Sequence, residues 1–191
     1  LIQKTVRKIG DIETLAFIGI IGSIGLLPFV WKSITIIFNP YFLVILIILG
    51  IITFFTAITN FEALKKGKIS VIDVILEIEL PITVFLGFIF FKETLTIFQF
   101  IMILIIFIGL ILIAFKSHHL INSFKNLEKG VLLAIIAAIG YGLSNFLTAF
   151  SSKQISPLMA IWVPWVIFTL ICIILIIKKK LGRSRTDFFL L

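Results

Sequence analysis

The sequence predicts an all-α integral membrane protein, and two observations carry that prediction. Of its 191 residues, 61% are hydrophobic and 14% are charged, whereas a soluble domain has about 45–50% apolar and about 25% charged residues. The apolar residues also form continuous runs of about the 20 residues that a helix needs to cross a bilayer. Continuous runs favour helices over the strands of a membrane barrel, in which apolar and polar residues alternate.

Six runs are long and apolar enough to be membrane-spanning helices. The connections between them are too short to hold a soluble domain, so we expect function to reside in the helices. In chain order the predicted spans are residues 14–31, 40–59, 69–91, 95–115, 130–150 and 157–177.

The first two spans carry small and polar residues at helical spacing. Gly19, Gly22 and Gly25 form a GxxGxxG pattern in the first span, which indicates close helix packing. In the second span, Thr56 and Asn60 stand four residues apart and share one face of the helix. This polar stripe either lines a cavity or consists of side chains bonded to carbonyls of their own helix, which is common and has no functional content.

The third span is unusual because it contains three carboxylates, Asp73, Glu77 and Glu79. A charge at mid-membrane costs roughly 2.5–3.5 kcal/mol on insertion scales, so ionisable groups at that depth indicate function by default. Asp73 and Glu77 share a helix face, whereas Glu79 points away from it unless Pro81 kinks the helix. We expect a polar cavity in which a carboxylate binds a cation, an amine or a proton. The alternatives are a solvated Asp73 near the membrane surface and protonated glutamates bonded to a neighbouring helix.

The fourth span is almost wholly apolar, and the last two add further candidates. In the fifth span, Tyr141 and Asn145 stand four residues apart, and we expect them to face an interior beside a ridge of small residues. Trp162 and Trp165 flank Pro164 in the sixth span. They are interpreted as aromatic residues at the membrane interface, with a stacking wall for an aromatic ligand as the alternative.

The basic residues are distributed unevenly between the two predicted sides of the membrane. Of the 17 Lys and Arg residues, only Lys32, Lys92 and Lys153 fall on one face, and all the others fall on the opposite face. The positive-inside rule places the basic face in the cytoplasm. The net charge of +8 therefore reflects orientation in the bilayer, and no nucleic-acid partner is expected.

No motif for covalent or metal chemistry is present. His118 and His119 lie in the longest connection without further residues at ligand spacing, so we expect no metal site. The sequence also has no P-loop, no HExxH and no hydrolase elbow. We therefore expect no cofactor and no enzyme activity.

Three short motifs lie between the second and fourth spans: ALKKGKIS at residues 63–70, ELP at 79–81 and ETLT at 93–96. Together they resemble the EamA-like transporters of the drug/metabolite transporter superfamily, although Thr94 stands where that family often has Arg. Tyr141, Gly142 and Asn145 are similar to the aromatic-Gly-x-x-Asn segment in the first helix of the family's second repeat.

The resemblance implies ten helices in two inverted five-helix repeats, of which this sequence holds six. Residues 1–117 would be the first EamA-like repeat without its first helix, and residues 118–191 would be the start of the second repeat. The family usually has both termini inside, which gives the orientation opposite to the charge count. We follow the charge count.

The resemblance also implies a function in the cytoplasmic membrane: export of a small organic metabolite by alternating access between the repeats. The alternatives are a structural membrane subunit that packs with partner helices and, less favoured, a polytopic membrane enzyme. The expected partners are a small-molecule substrate and the lipid bilayer, and a homodimer is left open. The candidate substrate-binding residues are the polar groups of spans two, three and five: Thr56, Asn60, Asp73, Glu77, Glu79, Tyr141 and Asn145.

Overall fold

The computed structural model describes residues 11–31, 33–34, 39–92, 96–116 and 129–188, and within these ranges the chain is almost entirely helical, without strands. The basic residues near the N-terminus, most of the ETLT motif and the histidine pair lie outside the described residues. The helices, in chain order, are α1 (Asp11–Val30), α2 (Pro40–Lys66), α3 (Ile69–Leu76), α4 (Glu79–Phe91), α5 (Ile97–Lys116), α6 (Lys129–Gln154) and α7 (Pro157–Phe188).

The helices confirm the predicted all-α membrane fold. Among the described residues, five segments are long and apolar enough to cross a membrane, and they coincide with the first, second, third, fifth and sixth predicted spans. The fourth predicted span coincides with α5, whose apolar stretch Ile97–Gly109 counts as a shorter apolar helix. The five segments are Ile12–Val30, Pro40–Lys66, Val71–Phe91, Lys129–Gln154 and Pro157–Lys179.

Helix α2 continues beyond the predicted end of its span at residue 59 and stops at Lys66. The Glu62 carboxylate forms ion pairs with Lys65 Nζ at 3.3 Å and with Lys66 Nζ at 2.8 Å. Pairs at these spacings stabilise a helix by about 0.2–0.5 kcal/mol each. Lys65 and Lys66, which belong to the sequence motif at residues 63–70, therefore extend helix α2 rather than forming a loop.

The chain divides into two compact units, which are described separately. One unit comprises Leu1–Phe54 and Thr148–Leu191, and the other comprises Phe55–Leu147. Helices α2 and α6 each contribute one part to both units. The predicted repeat boundary between residues 117 and 118 remains an expectation.

In the first unit, α1 packs along α7 through glycines. A Cβ atom on Gly19 would overlap the Thr169 hydroxyl, and one on Gly22 would lie 2.5 Å from Cε3 of Trp165. The absence of side chains at these two positions lets the helices approach closely. The packing role predicted for the glycine pattern is thus confirmed for Gly19 and Gly22, whereas a Cβ on Gly25 would have no neighbour within 4 Å.

The tryptophans of α7 contribute to the same packing. Trp162 Nε1 donates a hydrogen bond to the Ser23 carbonyl oxygen at 2.8 Å, and Trp165 covers Gly22. Both rings therefore contact α1, where Gly22 leaves room for Trp165, and their location at the membrane interface stays a prediction. At the far end of α7, Lys179 Nζ forms an ion pair with Glu13 at 3.0 Å.

In the second unit, α3 packs against α2 and the beginning of α6. A Cβ atom on Gly130 would lie only 2.7 Å from the Gly67 Cα atom, so the α2–α3 turn touches the start of α6. The turn and the start of α6 thus lie at the same end of this unit, in agreement with the charge count. The buried cluster that joins these helices consists of Ala63, Val71, Ile72, Ile75, Val131 and Ala134.

Candidate functional site

The third predicted span is interrupted between α3 and α4 at Glu77 and Ile78. Pro81 has no N–H to donate to the Glu77 carbonyl, and its ring clashes with that carbonyl in a regular α-helix. The Glu77 carbonyl oxygen instead accepts a hydrogen bond from the Leu80 amide at 3.2 Å, which is the tighter i→i+3 pattern. The interruption places Glu79 in the first turn of α4.

A hydrogen bond between side chains joins α2 to α6. Asn60 Nδ2 donates to the Tyr141 hydroxyl oxygen at 3.1 Å, and both side chains are partly buried. The Asn60 amide thus bonds across to another helix and not to its own backbone. Asn60 therefore does not follow the own-helix interpretation of the α2 stripe, and its lining of a cavity stays a prediction.

A second interhelical hydrogen bond joins α6 to α4. Asn145 Nδ2 donates to the Glu79 carboxylate at 3.5 Å, which is a long hydrogen bond. The Tyr141 hydroxyl lies within electrostatic range of the same carboxylate. The two pairs are therefore neighbours along one stretch of α6, and Asn60, Glu79, Tyr141 and Asn145 form what we call the polar cluster.

Two glycines of α6 allow these short side chains to reach one another. A Cβ atom on Gly140 would overlap the Thr56 side chain of α2. A Cβ atom on Gly142 would lie 2.6 Å from Cγ2 of Ile82 in α4. Helix α6 is thus in close contact with α2 on one side and α4 on the other. Thr56 is 5% exposed and packs on Gly140 beside the polar cluster.

The polar cluster contains an acceptor without a donor. Asn60 Oδ1 is buried, and none of the described residues donates a hydrogen bond to it. A buried polar atom left without a partner costs about 1–3 kcal/mol, so native proteins rarely retain one without a reason. Together with the Glu79 carboxylate, this atom gives the cluster more hydrogen-bond acceptors than donors.

Among the described residues, the other two predicted carboxylates form no hydrogen bond with the polar cluster, although Glu77 lies within electrostatic range of the Glu79 carboxylate. The Asp73 and Glu77 side chains are exposed, and neither forms an ion pair with any residue that the structure describes. Their shared helix face is therefore different from the face on which Glu79 meets α6. The structure brings together five of the seven candidate residues and leaves these two outside.

Sequence reasoning missed Thr83, which stands one turn after Glu79. Thr83 Oγ1 lies 2.8 Å from the Glu79 carbonyl oxygen and 3.2 Å from the Gly142 carbonyl oxygen, so its hydroxyl can donate to α4 or to α6. The signal was its spacing of four residues from Glu79, on the same face of the helix. Next to Asn145 on α6, the Phe146 ring packs on the Phe90 ring of α4, with 5.2 Å between the ring centroids.

This arrangement is suited to holding a polar solute by hydrogen bonds and charge. In the described ranges, no three His, Cys, Asp or Glu side chains are grouped so that they could hold a metal ion. The cluster also has no nucleophile next to a base, which covalent catalysis requires. Its groups lie on three segments that have the length and apolarity of membrane spans, Pro40–Lys66, Val71–Phe91 and Lys129–Gln154.

Comparison with known proteins identifies one family. The model of the EamA-like transporter family matches residues 1–115 of the chain. No curated protein and no solved structure matches the chain significantly. None of these comparisons supports a homodimer.

Proposed function

The chain belongs to the EamA-like transporter family, and from this premise we propose that it exports a small organic metabolite across the cytoplasmic membrane. The family consists of membrane transporters rather than enzymes, so the chain's partners are the lipid bilayer and a small-molecule substrate. The solute binds, in this proposal, at the polar cluster between α2, α4 and α6.

The observation that carries the proposal is the convergence of Asn60, Glu79, Tyr141 and Asn145 from three apolar helices. Polar groups inside a membrane are expensive, and they are generally found facing a bundle interior or a substrate pathway. Glu79 would set the charge of the site, and Tyr141 and Asn145 would form hydrogen bonds with the solute. Thr56 and Asn60 would line its α2 side.

The interruption before α4 supports a site at this position. Transporters commonly place their substrate sites where a membrane helix is discontinuous, because unwound backbone and mobile half-helices are available there. Here the discontinuity, at Glu77 and Ile78, directly precedes Glu79. Alternating access would then move α4 relative to α6, with Asp73 and Glu77 contributing to the electrostatics of the approach along α3.

Transport by the full-length protein in proteoliposomes tests the proposal. The liposomes are given a mixture of amino acids, small amines and small organic acids, and their contents are compared with protein-free liposomes by mass spectrometry. We expect at least one solute to cross only when the protein is present. Glu79→Gln should lower its flux about tenfold or more, because a hydrogen bond to a charged group contributes ~1.5–3 kcal/mol.

Glu62→Gln is the matched control, because Glu62 pairs with Lys65 and Lys66 outside the polar cluster. This variant should transport normally. If no solute crosses with the unsubstituted protein, the transport proposal is wrong. If a solute crosses equally well with Glu79→Gln, transport stands and the assignment of the site is wrong.

A further inference from the structure

Helices α4 and α5 of the second unit form an apolar groove of about 560 Å³. Four of its lining residues are phenylalanines: Phe85 and Phe88 of α4, and Phe100 and Phe107 of α5. None of the described residues that line it has a polar or charged side chain. The groove faces away from the polar cluster, because Pro81, Phe85 and Phe88 lie on the face of α4 opposite Glu79.

The groove runs along α4 and α5 from near their connection to Pro81 and Phe107. Helix α4 ends at Phe91 and α5 begins at Ile97, so the short connection makes the two helices antiparallel neighbours. Phe88 and Phe100 therefore lie near the connection, and Pro81 and Phe107 lie deeper. The eight residues from Pro81 to Phe88 span about 10 Å along α4.

Lys92 lies at the shallow end of this groove, one helical turn after Phe88. It has φ 52° and ψ 29°, and it is the only described residue other than glycine with a positive φ. Glycine or asparagine usually occupies such a position after a helix, because a side chain is strained there. The Lys92 side chain is exposed and forms no ion pair with any described residue.

Neither orientation of the chain nor capping of α5 accounts for Lys92. By the charge count it is one of the three basic residues on the face that is poor in them, so the positive-inside rule does not require it. The first turn of α5 is already capped, because Thr96 N donates to Gln99 Oε1 at 2.9 Å and Gln99 N donates to Thr96 Oγ1 at 3.3 Å. Within the described ranges, the Lys92 charge thus has no partner.

We propose that this groove binds one acyl chain of an anionic glycerophospholipid, whose phosphate contacts Lys92 Nζ. The groove lies along a membrane-spanning segment, where the surrounding solvent is lipid hydrocarbon, and its lining offers an acyl chain only apolar contacts. A cation at the mouth of an apolar groove matches a lipid with a negative headgroup and a hydrocarbon tail. This proposal is independent of the solute that the polar cluster binds.

Photocrosslinking identifies the occupant of the groove. The full-length protein carries p-benzoylphenylalanine in place of Phe85 and is reconstituted in nanodiscs of equimolar phosphatidylglycerol and phosphatidylcholine. Mass spectrometry of the irradiated protein then gives the ratio of the two lipid adducts. We expect phosphatidylglycerol to be favoured about fivefold, the ratio that corresponds to ~1 kcal/mol for one lysine near an anionic headgroup.

Two matched controls separate a specific site from ordinary lipid contact. The same photoreactive residue in place of Phe98, which is exposed on α5 but does not line the groove, should give the two adducts about equally. Lys92→Gln should remove the preference at position 85 and keep the total adduct yield, whereas Lys153→Gln should change neither. Equal adducts at position 85, the same preference at position 98, or an adduct with a second copy of the chain would each overturn the proposal.

Discussion

Asn60 of α2 donates a hydrogen bond to the Tyr141 hydroxyl of α6 across 81 residues of sequence. The bond uses the Asn60 Nδ2 atom as donor and leaves the buried Oδ1 atom of the same amide without a donor among the described residues. One side chain thus both fixes the distance between two helices and offers an unused acceptor. In the proposed site, packing and solute binding would therefore depend on the same residue.

Tyr141→Phe should destabilise the protein by about 1–3 kcal/mol, because it leaves the partly buried Asn60 amide without its acceptor. The measurement is thermal or denaturant unfolding of the purified protein in detergent. Tyr41→Phe is the matched control: Tyr41 is the only other tyrosine of the chain, and its side chain is exposed. Equal stability of the two variants would show that the Asn60–Tyr141 bond contributes nothing.

Gly130→Ala should also destabilise the protein, by about 1–3 kcal/mol, because the added methyl group meets the backbone of Gly67. Backbone atoms at this turn cannot move aside as the end of a flexible side chain can. Gly25→Ala is the control, since a Cβ there has no neighbour within 4 Å. It should leave stability unchanged or raise it by up to ~1 kcal/mol, because alanine favours a helix. A loss of stability in Gly25→Ala as large as in Gly130→Ala would contradict this explanation.

Pro81→Ala should make the protein more stable and less active. Alanine restores an amide donor for the Glu77 carbonyl, so α3 and α4 should fuse into one regular helix that points Glu79 away from Asn145. Hydrogen exchange should show new protection at residues 77–81, and solute flux should fall. Pro28 lies inside α1 without interrupting it, so Pro28→Ala should retain flux. Unchanged flux in Pro81→Ala would mean that the interruption is dispensable.

The basic residues predict which ends of the helices face the cytoplasm. Cysteine introduced as Lys92→Cys should react with an impermeant maleimide added to intact cells, whereas Lys66→Cys and Lys179→Cys should react only after the membrane is opened. The native Cys172 is buried and should stay unlabelled. Labelling of Lys66→Cys or Lys179→Cys from outside would establish the opposite orientation, which is the usual one of the family.

The sequence was sufficient to predict the helices, because length and apolarity decide them in a bilayer. Helical spacing also placed Tyr141 and Asn145 on one face of α6, but Asn145 is exposed rather than facing an interior, and their role in a substrate site stays a prediction. It could not show which faces meet, because that depends on the close approaches at Gly140 and Gly142. For the same reason Asp73 and Glu77, although four residues apart on one face, lie outside the polar cluster.

The tryptophans of α7 show the same limit. Aromatic residues near the end of a span are common at membrane interfaces, and that frequency favoured this interpretation of Trp162 and Trp165. In the structure, the Trp162 indole bonds to a carbonyl of α1, and Trp165 fills the space above Gly22. Trp165 and Gly22 are far apart in the sequence, so no local sequence pattern could predict that they pack together.

The close approach of Gly130 to Gly67 means that the packing of α3 against α6 can form only after α6 has been synthesised. Helix α3 buries Val71 and Ile75 in a cluster with Val131 and Ala134 of α6. Helix α6 leaves the ribosome only after α4 and α5 have been made. Ala63 of α2 covers part of this cluster from the start, but the side of α3 that meets Val131 and Ala134 stays uncovered until the fifth predicted span enters the membrane.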